Sequence, residues 1–428
     1  MILPYPQWRN IFPSEPAPSL EELKAWIAQF NCDDVLQSLS KLNVIYSRIY
    51  RWGDNVPIEI FKLHFEPAAF ELIRRAKIER NAIFPYRPAV IYLEKLVLAG
   101  ARSDGGETVA SKPILFGRML VAASEYAEGA RLSAVQYDDA NEAAKKKRRE
   151  ILAGTIYRNL LFNSMDFIAN LMGRYWAMLI LYSEELKPLY PNEFFDLNKF
   201  FKDETGLELE IHLMFAFALY GHYVPGGPTR PLDVLASAFN FPIGDAHFDA
   251  IRPEHHESAR RFMAVFSRAL EECRAAISKE IPSPASGGYD ARFIFEAPLY
   301  KSGKIYFPLD LDLVMQQTTS GLYWKAHAIL RKTRRAEYDR FKTWWGRLFE
   351  WHIKKVLEGY LPEKGTPNQR LFIEREDGFE GADFVIRDGE SLVVIEVTTS
   401  GVPVMKITSG TSKDGGVPKA VEIVVAFG

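Results

Sequence analysis

Gly381-Ala-Asp-Phe-Val-Ile-Arg-Asp-Gly-Glu-Ser-Leu-Val-Val-Ile-Glu-Val-Thr-Thr399 decides how the C-terminal part of this chain is read. Two apolar runs flank Asp388-Gly389. Asp followed by Gly accepts the positive φ that a primed turn requires, so the stretch predicts a β-hairpin. Each run carries one acid, Asp383 in the first and Glu396 in the second. With Asp388-Gly389 as a two-residue loop, Arg387 is expected to face Glu390, Val385 to face Leu392, and Asp383 to face Val394. Glu396 then falls diagonal to Asp383 on the same face, about 7–8 Å away along the backbone. Two carboxylates so placed can share one hard divalent cation through oxygen ligands. A loop one residue longer would send them to opposite faces. Glu396 lies in Leu-Val-Val-Ile-Glu-Val, which reads as a buried central strand, where a carboxylate needs a cation or another partner.

Working outward, Pro362 ends an apolar-striped helical segment over about 336–360 that carries Phe341, Trp344, Trp345, Leu348, Ile353, Val356 and Leu357. Leu371 to Glu374 reads as a short strand, and Val421 to Phe427 as a last one. The order helix, strand, hairpin, with an acid opening one strand and Glu-x-x in the next, resembles the PD-(D/E)XK nuclease superfamily. The resemblance covers about 90 C-terminal residues. It implies a restriction-endonuclease-like α/β domain that hydrolyses phosphodiester bonds of DNA or RNA with Mg2+ or Mn2+. By that resemblance Asp383 and Glu396 hold the metal, with Glu350 on the preceding helix as a third ligand. Gly346, one turn before Glu350, is expected to let this helix approach the sheet. The sequence departs from the family pattern in two places. Thr398 stands where the family carries its catalytic lysine, and 400–418 is rich in Gly and Pro where the family has a crossover helix. Lys406, followed by Lys413 and Lys419, is the nearest cation in sequence that can take the lysine's place.

Arg331-Lys332-Thr-Arg334-Arg335, with Arg340 and Lys342, forms a basic run suited to phosphate contacts; a solvated helix face is the plain alternative. Lys145 to Arg149 is denser but reads as a solvated face. The formal net charge is −2, so nucleic-acid binding must come from such local patches rather than from a global field.

Upstream, Ile281-Pro-Ser-Pro-Ala-Ser-Gly-Gly288 is the best linker candidate. Residues 1–280 predict a large, mainly helical domain, 281–335 a linker with a small strand–helix segment, and 336–428 the nuclease-like domain, an α+β organisation overall. Pro4 to Pro18 predict an extended lead-in. Ser19-Leu-Glu-Glu22 has capping-box spacing for a helix through Phe30, and Asp33 or Asp34 is expected to cap the next. Further helices are expected around 68–79, 87–100, 113–128, 191–203, 207–222, 230–239, 253–280 and 321–335. A long helix from Asp138 or Asp139 becomes apolar on most sides after Ile151. Strands are expected at Arg292 to Glu296 and Lys304 to Phe307.

The composition excludes other classes. Two cysteines, Cys32 and Cys273, rule out a disulfide framework or a cysteine zinc site and fit a reducing, cytoplasmic setting. The most apolar run, Leu213 to Val224, is too short to span a bilayer, and the N-terminus has no signal-peptide pattern. His255-His256-Glu257 lacks zincin spacing and reads as a helix start; His212 and His222 read as packing histidines. No phosphate-loop, dinucleotide or nucleophile-elbow motif is present. The expected partner is nucleic acid, DNA first, with no membrane. A homodimer is in keeping with the resemblance, and the helical domain is the expected surface for a partner protein. The other class of function is a catalytically degenerate nuclease fold that binds nucleic acid or protein.

Overall fold

The computed structural model describes residues 6–49, 58–80, 84–132, 168–223, 242–244, 247, 251–279, 292–360, 369–372, 384–388 and 391–395. These residues are mainly helical, with two small three-stranded sheets, an α+β organisation. They divide into two compact units, neither a single stretch of chain. The first takes the residues up to Ile168 and Phe215–Gln317; the second takes Ala169–Met214 and the described residues of Thr318–Pro403. The division falls inside the helix Leu209–Tyr223. Among the described residues no helix is long and apolar enough to cross a membrane.

In the first unit the sequence signals act locally. Ser19 accepts from the Glu22 amide, and the Glu22 carboxylate accepts from the Ser19 amide, which closes the expected capping box on helix Leu20–Ile27. Helix Cys32–Ile49 is capped not by Asp33 or Asp34 but by Asn31, whose side chain accepts from the Asp34 amide at 3.1 Å. Both acids lie in the first turn, where the helix dipole favours them. Asp33 is held there by the Tyr300 hydroxyl at 2.7 Å and by the Ser302 hydroxyl. The lead-in is not wholly extended. Trp8–Ile11 forms one helical turn that buries Trp8 and Ile11, because two large apolar side chains outweigh the proline-rich context.

Helices Arg87–Gly100 and Pro113–Leu132 complete the core of this unit with the 3-10 turn Ile58–His64. A Cβ at Gly117 would sit 1.9 Å from the His64 carbonyl oxygen, so glycine is what allows this helix and that turn to touch. The expected 253–280 helix is broken. A 3-10 turn, Pro253–His255, leads into His256–Phe266, as the histidine pair predicted; then strand β1, Ser267–Ala269, intervenes before Leu270–Ser278. The interruption has a tertiary cause. β1 pairs in parallel with β2, Leu299–Ser302, which pairs antiparallel with β3, Ile305–Pro308. Gly303, at φ 58°, makes the β2–β3 turn. Arg292 to Glu296 is not a strand: Arg292–Phe295 is a helical turn whose Phe293, Ile294 and Phe295 are all buried, without alternation.

An ionic cluster crosses this core. Arg87 opens its helix and is fully enclosed, as are Asp310 and Asp312. Its guanidinium meets Asp310 and Asp312, each at 2.7 Å. Asp310 also caps helix Leu311–Gln317 by accepting from the Leu313 amide at 3.0 Å. Burial opposes the arginine charge, but the two carboxylates outweigh it and hold the guanidinium charged. Beside them Glu94 accepts from the Asn43 side-chain amide at 3.0 Å. Burial first, then the nearby Asp310 charge, pushes the Glu94 carboxyl well above its usual range and favours its protonated form.

In the second unit, helix Ile168–Trp176 runs through a π-helical segment, Ala177–Leu181, into Tyr182–Leu186. Helix Leu197–Thr205 starts six residues later than expected because Asp196 caps it through the Lys199 amide. His212, buried as expected, meets the Thr205 hydroxyl at 2.8 Å. Helices Ser320–Thr333 and Arg335–Tyr360 pack as a pair. Their shared core is aromatic: Phe341, Trp344 and Leu348 are buried, and Tyr323 stacks on Phe341 at 5.4 Å. The stripe does not continue as expected, because Val356 is exposed.

Candidate functional site

The C-terminal hairpin is present, with a different register. Strand β4, Gln369–Phe372, pairs antiparallel with β5, Phe384–Asp388, and β5 with β6, Ser391–Ile395. Asp388 pairs with Ser391, so the two residues between the strands are Gly389 and Glu390, not Asp388 and Gly389. Asp388 lies in the ladder itself. The pairing is displaced by two positions: Arg387 faces Leu392 and Val385 faces Val394. An even displacement conserves the alternation of faces. At its last described step Phe384 pairs with Ile395, and these two are the chain neighbours of Asp383 and Glu396. Among the described residues β5 is the central strand of this sheet and β6 its edge. Asp383, Glu396, Thr398 and Lys406 lie outside the described residues, as do Lys413, Lys419, Lys145 to Arg149, and the expected elements at 138–167, 230–239, 400–418 and 421–427.

Glu350 lies within the long helix, half-buried. It meets Arg347 at 3.3 Å, and Arg347 also makes a two-pronged pair with Glu193, at 2.7 and 3.2 Å. This carboxylate is therefore part of an ion-pair chain within the unit, which competes with a role as metal ligand. Gly346 does not mark a close approach among the described residues, since nothing there lies within 4 Å of a Cβ placed on it. No group of three or more His, Cys, Asp or Glu side chains among the described residues is arranged to hold a metal ion.

The basic run sits where the Ser320–Thr333 and Arg335–Tyr360 helices meet. Arg331, Lys332, Arg335, Arg340 and Lys342 are exposed. Arg334 is committed inward: its guanidinium pairs with Glu204 at 2.8 Å and lies over the Phe200 ring. Lys342 pairs with Asp339 at 3.1 Å and lies 4.9 Å from the Tyr338 ring centre; Arg335 reaches the same ring at 5.4 Å. Between the helices stands His327, its ring 5.2 Å from Tyr338 and 5.6 Å from Trp324. Burial lowers the His327 pKa first, and the positive charges of Arg331 and Lys342 lower it further. The fold thus gathers the cations of two helices around one imidazole.

The sequence reading found these cations but not the rings among them. Their signal was available: Trp324, His327 and Arg331 recur at helical spacing on one face. No family model matches this chain, and no curated protein or solved structure is significantly similar to it.

Proposed function

We propose that the C-terminal part of the chain is a metal-dependent nuclease of the PD-(D/E)XK kind, with Asp383 and Glu396 as its acids. The observation that carries the proposal is the β5–β6 ladder. Phe384 pairs with Ile395, and each is followed outward by one of the two acids. Were the pairing to run one step further in this register, residues 383 and 396 would be the next pair, closer than the diagonal placement of the expected loop.

The donor set suits a hard cation: two carboxylates with no cysteine or histidine beside them in sequence favour Mg2+ or Mn2+ over a softer metal. Asp383 and Glu396 would hold it, and Glu350 would join only by leaving Arg347. When bound, such an ion supplies Lewis-acid polarisation of a phosphodiester and a more acidic attacking water. The chain's own residues would contribute the carboxylates that fix the site and the cations of 331–342 that hold the phosphate backbone. Thr398 brings a hydroxyl and no charge to the family's lysine position, and Lys406 is the candidate to supply that charge. The exposed cations clustered at the helix junction support nucleic acid, DNA first, as the substrate.

The test is nicking of supercoiled and single-stranded DNA, and of RNA, by the full chain with Mn2+, Mg2+ or chelator. Metal-dependent cleavage is expected, and Asp383→Ala and Glu396→Ala should each lower it by at least about a hundredfold, as expected for loss of a group that organises the reacting centre. If both variants cut like the parent, the assignment fails. If the parent binds nucleic acid without cutting under any metal, the chain is a binding module on a nuclease-like frame.

A further inference from the structure

We propose that the junction of helices Ser320–Thr333 and Arg335–Tyr360 is a binding surface for an unpaired nucleic-acid strand, with Trp324 and His327 as base-stacking platforms and Arg331, Arg335 and Lys342 as phosphate contacts. This rests on the nucleic-acid reading above and narrows it from nucleic acid in general to single strands.

The surface has both chemistries that such a strand needs. From Lys325 to Lys342 the chain carries seven basic and two acidic side chains, a local net charge of +5 within a chain of net −2. Within that field lie rings that are not wholly enclosed. Trp324 and His327 are half-buried, 5.6 Å apart and inclined at 64°, and His327 continues edge-on to Tyr338 at 5.2 Å. Tyr323, behind them, packs against Phe341 and Trp345 and fixes the helix that presents Trp324. Aromatic faces interleaved with cations track a single strand, because each nucleotide offers a π-face and a phosphate. A duplex hides its base faces in the stack and would engage the cations alone.

Other occupants fit less well. A membrane surface would call for apolar side chains beside the cations. The exposed large apolar residues among those described are Leu63, Ile78, Leu181, Leu189, Phe217, Ile305 and Val356, and none falls within 325–342. An acidic protein segment would meet the charges but leave the rings unused.

The experiment is fluorescence anisotropy of the full chain, in chelator, against a labelled single-stranded DNA 15-mer, the RNA of the same sequence, and the DNA duplex. Chelator suppresses cleavage, so binding is read apart from the nuclease proposal. At least about fivefold tighter binding of a single strand than of the duplex is expected, the smallest effect one stacked base gives. Trp324→Ala should weaken the single strand by at least about fivefold and leave the duplex unchanged, whereas Arg331→Ala with Lys342→Ala should weaken both. Trp324→Leu repeats the measurement with the helix face kept apolar, should the alanine variant lose its circular dichroism. Equal affinity for duplex and single strands, no binding to any probe, or a Trp324→Leu variant that binds single strands like the parent would overturn the proposal. The two proposals separate cleanly: Asp383→Ala should abolish cutting and keep this preference. Cutting of duplex by a parent without the preference would leave the nuclease reading standing alone.

Discussion

At the residue scale, the buried ionic cluster of the first unit was the least legible feature. Arginine, aspartate and glutamate are read as exposed unless something local says otherwise, and nothing local to Arg87 or Glu94 announces Asp310, more than two hundred residues on. What decides their placement is tertiary. Arg87 is satisfied by two carboxylates at once, while burial and the Asp310 charge raise the pKa of Glu94, third acid in the cluster. A consequence for stability follows. The folded-state pKa of Glu94 lies above its unfolded value, so its contribution is fully present below about pH 4.5 and is lost as pH rises toward the folded pKa. Across that window the native state holds a proton that the unfolded chain releases, a cost of about 1.4 kcal/mol per pH unit. Glu94→Gln copies the protonated carboxyl, keeps an oxygen for the Asn43 amide and has nothing to titrate. Urea unfolding should find the variant close to the parent at pH 4.5 and more stable than the parent as pH rises above it. A stability difference independent of pH would show that Glu94 is ionised in the native state.

At the element scale, caps and apolar stripes were readable and pairings were not. Ser19 with Glu22, and the Phe341-Trp344-Leu348 stripe, carry their signal within a few residues. β1 does not: Ser267–Ala269 sits between two helical patterns and becomes a strand because β2, some thirty residues on, pairs with it. The C-terminal hairpin lies between these cases. Its two strands were evident from their composition, but Asp388-Gly389 looked like the turn and is displaced by one residue, which moves the register by two. Because that number is even, the described residues of the two strands keep the alternation of faces that the expected loop gave them. The close approach at Gly117 gives a direct test of packing between elements. The nearest obstacle to a side chain there is backbone, the His64 carbonyl, which cannot rotate away as a side chain can. Gly117→Ala should therefore destabilise the chain by about 1–3 kcal/mol, as overpacking does, even though alanine favours helix more than glycine. Thermal and urea unfolding measure it, and a variant as stable as the parent would mean that the turn Ile58–His64 yields readily.

At the scale of the whole molecule, net charge misleads. A chain of formal charge −2 should not attract a polyanion, yet the stretch from Lys325 to Lys342 carries a local net charge of +5, and charges beyond a Debye length of about 8–10 Å are largely screened at ordinary ionic strength. Affinity for a single strand should then depend on salt as the local cations dictate. With Arg331, Lys332, Arg335, Arg340 and Lys342 on phosphates, the slope of log affinity against log salt is expected near −3.5, about a hundredfold loss between 50 and 200 mM. Replacing Arg331, Lys332 and Lys342 together by alanine should bring that slope to about −1.4. Lys24→Ala changes the net charge too, but Lys24 is paired with Glu21 on a helix of the other unit, and the slope should not move. Salt titrations of the three proteins decide it. If slope tracks net charge regardless of which lysine or arginine is removed, binding is spread over the surface and no local patch organises it. If only the 331–342 replacements flatten it, the phosphate contacts are where the two helices meet.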